Sequence, residues 1–154
     1  MHKTGEAKSA CAGHSAPISQ VCCDHGGQVA LSASYDKTVR VWSYAGRERA
    51  VLTGHAAPVL ELCSNNAGGA LTGDRSGNIM LWDVEAGACT WAMKGVHKGH
   101  VTALAWADGS GGNEAWQGCF ASGGQDGCAY ICVCREHGSQ GRVPLAGLCY
   151  LWQL

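Results

Sequence analysis

Gly13-His14-Ser15-Ala16-Pro17-Ile18 returns 41 residues later as Gly54-His55-Ala56-Ala57-Pro58-Val59, and Val39-Arg40-Val41-Trp42 returns 40 residues later as Ile79-Met80-Leu81-Trp82. In both copies an apolar residue follows the His by four, and the Trp follows it by 28 or 27 residues. Self-similarity at a period of about 40 residues marks a stack of supersecondary units, each too small to bury its own apolar face. A third copy is degenerate. Gly99-His100 resembles the marker dipeptide, but spacing selects His97, which stands four residues before Val101 and 42 after His55. Downstream, Ser122-Gly123-Gly124-Gln125-Asp126-Gly127 leads into Ala129-Tyr130-Ile131-Cys132, so Cys132 stands where Trp42 and Trp82 stood. The longer His-to-end spacing implies an insertion of about seven or eight residues, placed in the Gly-, Ser- and Asn-rich stretch 108–117, which reads as an enlarged turn.

Within each copy the pattern is that of short strands. Ile18–Cys23, Val59–Ser64 and Val101–Trp106 are predicted first strands, and residues 29–33, 70–73 and 119–122 predicted second strands, rich in small side chains. Residues 39–42, 79–82 and 129–133 follow as third strands. Asp36-Lys37 and Ser76-Gly77-Asn78 supply turn chemistry between second and third strands. Residues 49–52 and 89–93 are predicted fourth strands, reached through Gly46 and Gly87. No amphipathic helical pattern interrupts them, so the expected class is all-β.

Composition narrows the function. Eleven Lys and Arg against twelve Asp and Glu leave a net charge of −1, with no long run of either sign. This argues against a nucleic-acid or anionic-membrane surface, which needs a concentrated basic patch. Twenty-three glycines and one Phe fit many turns between short elements. Met1-His2-Lys3-Thr4-Gly5-Glu6 lacks an apolar signal core, and no apolar run approaches the roughly 20 residues that span a bilayer. An intracellular protein, by default cytoplasmic, is the expectation, and there the ten cysteines are expected as reduced thiols.

The repeat length, the Gly-His marker and Trp82-Asp83 resemble the WD-repeat β-propeller family, from about residue 3 to residue 133. The resemblance implies a partial propeller of about three four-stranded antiparallel blades: an outer strand of a preceding or shared blade at 1–12, then repeats at 13–53, 54–95 and 96–154. It also implies a buried hydrogen-bonded His–Ser/Thr–Asp–Trp group in each blade. Carried over by position, the first copy is complete with His14, Ser32, Asp36 and Trp42. The second has His55, Thr72 and Trp82, with Ser76 in the acid position. The third has His97, Ser122 and Asp126, with Cys132 in the Trp position. Loss of the carboxylate or of the indole donor is expected to loosen the later blades. His14, Ser32 and Asp36 also have the composition of a hydrolase triad. Their recurrence at repeat spacing favours a brace over a catalytic site, and no catalytic residues are assigned.

Family propellers typically bind partners on the loops before the first strands and between the second and third. That implies two sets of partner-binding candidates, Tyr35, Arg75 and Gln125 in one column and Pro17, Pro58 and His100 in the other; ordinary turn residues are the plainer reading. Trp116, in the polar insertion, is either a partner anchor or folds back on its own blade. Cys119, Cys128, Cys132 and Cys134, with His137 nearby, are the best metal or redox candidates. Alternating strand positions face opposite ways and no paired Cys-x-x-C spacing appears, so small buried hydrophobes are the favoured role, no metal site is assigned and no cofactor is expected. Gly123–Gly127 lacks the Lys-Ser/Thr ending and ensuing helix of a phosphate loop.

The leading function is a noncatalytic protein-interaction scaffold or adaptor, with a Cys-based metal or redox protein as rival and a truncated propeller without autonomous function as third reading. Closed propellers have four to eight blades, and three are visible. Residues 142–154 offer a fourth strand for the third repeat, weakened by Pro144. Either the chain is part of a longer propeller, which the degenerate third copy favours, or it self-associates to cover exposed blade faces.

Overall fold

A computed structural model describes residues 9–24, 29–65, 68–107 and 119–133 of the 154-residue chain. The expected outer strand near Thr4–Glu6, the insertion 108–117 with Trp116, Cys134, His137 and the strand at 142–154 lie outside the described residues.

Strands are the only regular elements among the described residues. The first sheet holds β1 (Ile18–Cys23), β2 (Val29–Ser34), β3 (Val39–Ser43) and β4 (Glu48–Leu52), antiparallel in chain order. The second repeats it with β5 (Val59–Ser64), β6 (Gly69–Asp74), β7 (Ile79–Asp83) and β8 (Ala88–Met93). The third has three strands among the described residues, β9 (Val101–Trp106), β10 (Cys119–Gly124) and β11 (Ala129–Val133). This is a partial β-propeller, with β1 lying against β5 and β5 against β9.

The second strands run one or two residues past the expected ends because the hairpin closes on itself. Ser34 N–H donates to the Thr38 carbonyl and Lys37 N–H returns to the Ser34 carbonyl; Asp74 with Asn78 and Gly77, and Gly124 with Cys128 and Gly127, repeat this pair of bonds. The turn needs a left-handed residue, and Gly77 (φ 80°) and Gly127 (φ 76°) supply it. The first blade uses Lys37 at φ 72°, the one non-glycine residue described with positive φ.

Strand alternation sorts side chains into two cores. Leu31, Ala33, Val39 and Val41 of the first sheet pack with Val59, Leu62, Ala70 and Trp82 of the second. Leu71 and Ile79, on the other side of the second sheet, pack with Val101, Phe120 and Cys132 of the third. Each fully buried aliphatic residue in these layers contributes about 1.5–3 kcal/mol, so the intersheet contacts hold the blades together. Close approach matters at Gly73, where an added Cβ would come within 2.5 Å of Val101 Cγ1.

Candidate functional site

In every sheet a His from the loop before the first strand bridges two neighbouring elements. His14 Nδ1 lies 2.8 Å from Asp36 Oδ2 and Nε2 2.8 Å from Ser32 Oγ, whose oxygen accepts the Trp42 indole N–H at 2.8 Å. With Asp36 ionised, Nδ1 donates to it, which leaves Nε2 to accept the Ser32 hydroxyl proton. The resulting chain Trp42–Ser32–His14–Asp36 satisfies each buried donor and ties loop, β2 and β3 together.

The second sheet builds the same group with a different acid. His55 Nε2 is 2.6 Å from Thr72 Oγ1, which accepts the Trp82 indole at 2.8 Å, and His55 Nδ1 is 2.9 Å from Asp74 Oδ2. The expectation that Ser76 leaves this copy without a carboxylate is therefore corrected. Ser-x-Asp at 34–36 has become Asp-x-Ser at 74–76, and the turn is tight enough that a carboxylate at either column reaches the imidazole. Asp74 is fully buried and also accepts from Ser76 N–H, Asn78 N–H and the Asn78 side-chain amide. In the first blade, Ser34 occupies the column of Asp74 and its hydroxyl bonds the Ala16 and Pro17 carbonyls instead.

In the third sheet His97 Nε2 is 2.9 Å from Ser122 Oγ and Nδ1 3.1 Å from Asp126 Oδ1. Cys132 is buried in the Trp column and brings no indole donor. Tyr130, on the same face two residues earlier, places its ring 4.9 Å from the His97 ring, which partly refills the space.

The three carboxyls share an electrostatic character. Burial works to raise the Asp36 pKa, but hydrogen bonds from Thr38, His14 and the Ser15 backbone outweigh it and hold the group well below the ordinary carboxylate range. At Asp74 burial is likewise outweighed, by His55, Asn78 and Ser76. At Asp126 the Lys98 N–H is the largest influence and, with Cys128 N–H and His97, lowers the pKa to about 2 against burial. The hydroxyls of Ser32, Thr72 and Ser122 belong to buried residues and are engaged by imidazole, so a substrate cannot reach them as it would a nucleophile.

Two stretches, residues 5–43 and 46–83, match the family described as WD domain, G-beta repeat, and together they make up half of the chain. The chain belongs to the WD-repeat family. WD repeats generally mediate protein–protein interaction. Among solved structures, the computationally designed Ika8 protein in a P63 crystal superposes with a TM-score of 0.66 at 25% identity, covering 79% of this chain and 34% of that one. The WD chain thus spans about a third of that designed protein's length. No curated protein matches it.

The two columns of partner-binding candidates meet at one end of the WD blades. Tyr35 N–H donates to the Pro17 carbonyl at 3.0 Å, Arg75 N–H to Pro58 at 2.9 Å and Gln125 N–H to His100 at 2.9 Å. The side chains of Tyr35, Arg75 and Gln125 are exposed, and Arg75 Nε reaches His100 Nε2 of the next blade at 3.2 Å. Trp116 lies outside the described residues.

Trp91 and Trp106 pack against the second core, and Trp106 meets Phe120 edge-on at 5.9 Å. Cys132 pairs with Phe120 in the sheet register, so Cys119 points to the opposite face. Burial pushes the Cys22 thiol up to about 11 and the Cys63 thiol up to about 12, away from reactive thiolate character. Among the described residues no three His, Cys, Asp or Glu side chains gather as metal ligands, and no helix is long and apolar enough to cross a membrane.

Proposed function

We propose that this WD-repeat chain is a noncatalytic scaffold or adaptor that binds other proteins inside the cell. Its binding surface is the blade end carrying Tyr35, Arg75 and Gln125 beside Pro17, Pro58 and His100. The observation that carries this reading is the thrice-repeated backbone bond between the two loops. It fixes the main chain at 35, 75 and 125 while leaving the side chains in solvent. A loop already ordered by its own hydrogen bonds loses little entropy on binding, and Tyr and Arg are favoured at interface centres. The His–Asp groups lie directly beneath and serve as the rigid floor.

The test is pulldown from the native cell with the chain and with a triple Tyr35→Ala, Arg75→Ala, Gln125→Ala variant. Loss of an anchor at an interface centre costs about 2 kcal/mol or more, roughly 30-fold in affinity. Partners that bind the unaltered chain should therefore be missing from the variant at equal protein stability. Unchanged recovery of every partner rejects this face.

A further inference from the structure

The sheets pack on one another by a rule that the chain uses twice. The leading face of each following sheet is buried, with Val59 0%, Leu62 1% and Val101 0% exposed. Beneath it the preceding sheet places a small second-strand residue, Ala33 or Gly73, and Gly73 is the seat against which Val101 lies. A polar contact accompanies the first of these interfaces: the Ser19 hydroxyl donates to the Val59 carbonyl across the sheets at 2.7 Å.

Among the described residues, each end of the stack carries one half of that interface without its complement. In the columns of Val59 and Leu62 the first sheet has Ile18 and Val21, 49% and 67% exposed. At the other end Gly123 occupies the column of Gly73, and among the described residues an added Cβ would meet Ala103 and Thr102, at 3.6 and 3.8 Å. Ile131, in the column of Val41 and Leu81, is 45% exposed, and Thr102 stands exposed in the column of Ser19.

We propose that two copies of the chain associate head to tail, the first sheet of each seated on the third sheet of the other, to complete a six-bladed ring. Ile18 then lies on Gly123 as Val101 lies on Gly73, and the Thr102 hydroxyl meets the Ile18 carbonyl as Ser19 meets that of Val59. The contact is heterologous, joining different surfaces of identical chains, and such contacts form closed rings when the rotation closes. The three sheets of the described residues, taken twice, make six blades, a number within the four to eight of closed propellers.

Light scattering coupled to size-exclusion chromatography of the full chain tests the ring. The unaltered chain should elute as a discrete dimer. Val21→Asp on the leading face and Gly123→Leu or Ile131→Asp on the trailing face should each yield folded monomers. A charge or a side chain forced into the seat weakens the contact by roughly a hundredfold or more. Among the described residues nothing crowds positions 21, 123 and 131, so circular dichroism should show unchanged strand content. Mixing Val21→Asp with Ile131→Asp should restore dimers, because one interface then joins two unaltered faces. A monomeric unaltered chain overturns the proposal, as do open-ended oligomers, a dimer indifferent to the trailing-face variants, or a mixture that stays monomeric.

Discussion

Replacing Asp74 by Ala should destabilise the second blade far more than replacing Ser76. Asp74 is fully buried, and its carboxylate accepts from His55, from the backbone of Ser76 and Asn78, and from the Asn78 amide. Truncation leaves the His55 Nδ1–H and two turn N–H groups without their acceptor. Bonds to a charged acceptor contribute about 1.5–3 kcal/mol each, but they share one group and do not add. Removing one member of a buried pair costs about 3–5 kcal/mol. We therefore expect Asp74→Ala to cost about 3–5 kcal/mol and Ser76→Ala, an exposed position, no more than about 0.5 kcal/mol. Asp74→Asn keeps an acceptor oxygen and should fall between them. Urea unfolding followed by tryptophan fluorescence reads the difference, because the Trp82 indole donates into the same group. Equal effects of Asp74→Ala and Ser76→Ala would refute the assignment of the acid.

Three further outcomes follow from the same geometry. Gly73→Ala forces a Cβ against buried Val101, which cannot swing away, and should lower stability by about 1–3 kcal/mol in thermal unfolding; an unchanged melting temperature would contradict the close approach. Lys37→Gly removes a left-handed strain of about 1–2 kcal/mol against about 0.5–1 kcal/mol of added chain entropy, so it should stabilise by up to about 1.5 kcal/mol; destabilisation would show that the turn depends on the Lys37 side chain. The carboxyls of Asp36, Asp74 and Asp126 have lowered pKa values in the fold, so the stability they contribute is present above the ordinary carboxylate value near 4. It should be lost as pH falls from about 4 through about 2, where Asp126 titrates, and below for Asp36; denaturant midpoints flat across that window would refute the coupling.

The fold was legible because its determinants recur. A residue four after each marker His opens a first strand, and Ile18–Cys23, Val59–Ser64 and Val101–Trp106 begin and end where the apolar runs do. The second strands reach Ser34, Asp74 and Gly124, beyond the small-residue runs, because the turn's own backbone bonds extend the ladder. The acid of the second blade was hidden for a geometric reason. Column-by-column comparison assumes that one role keeps one position, yet the imidazole can be reached from either flank of Arg75. Asn78, two residues beyond Ser76 and able to donate to a carboxylate, was the available sign. The Tyr130 ring against His97 escaped for a related reason: it substitutes for an indole from a different column of the same strand face.

The most direct test of the scaffold reading is site-specific photocross-linking in the native cell. A photoreactive side chain at position 35 or 75 is compared with one at Tyr44, which is exposed in the turn after β3, at the opposite end of the first blade. Protein adducts are expected from positions 35 and 75 and none from position 44. Adducts from position 44 with none from 35 or 75 would place the binding surface at the other end of the blades and contradict that reading.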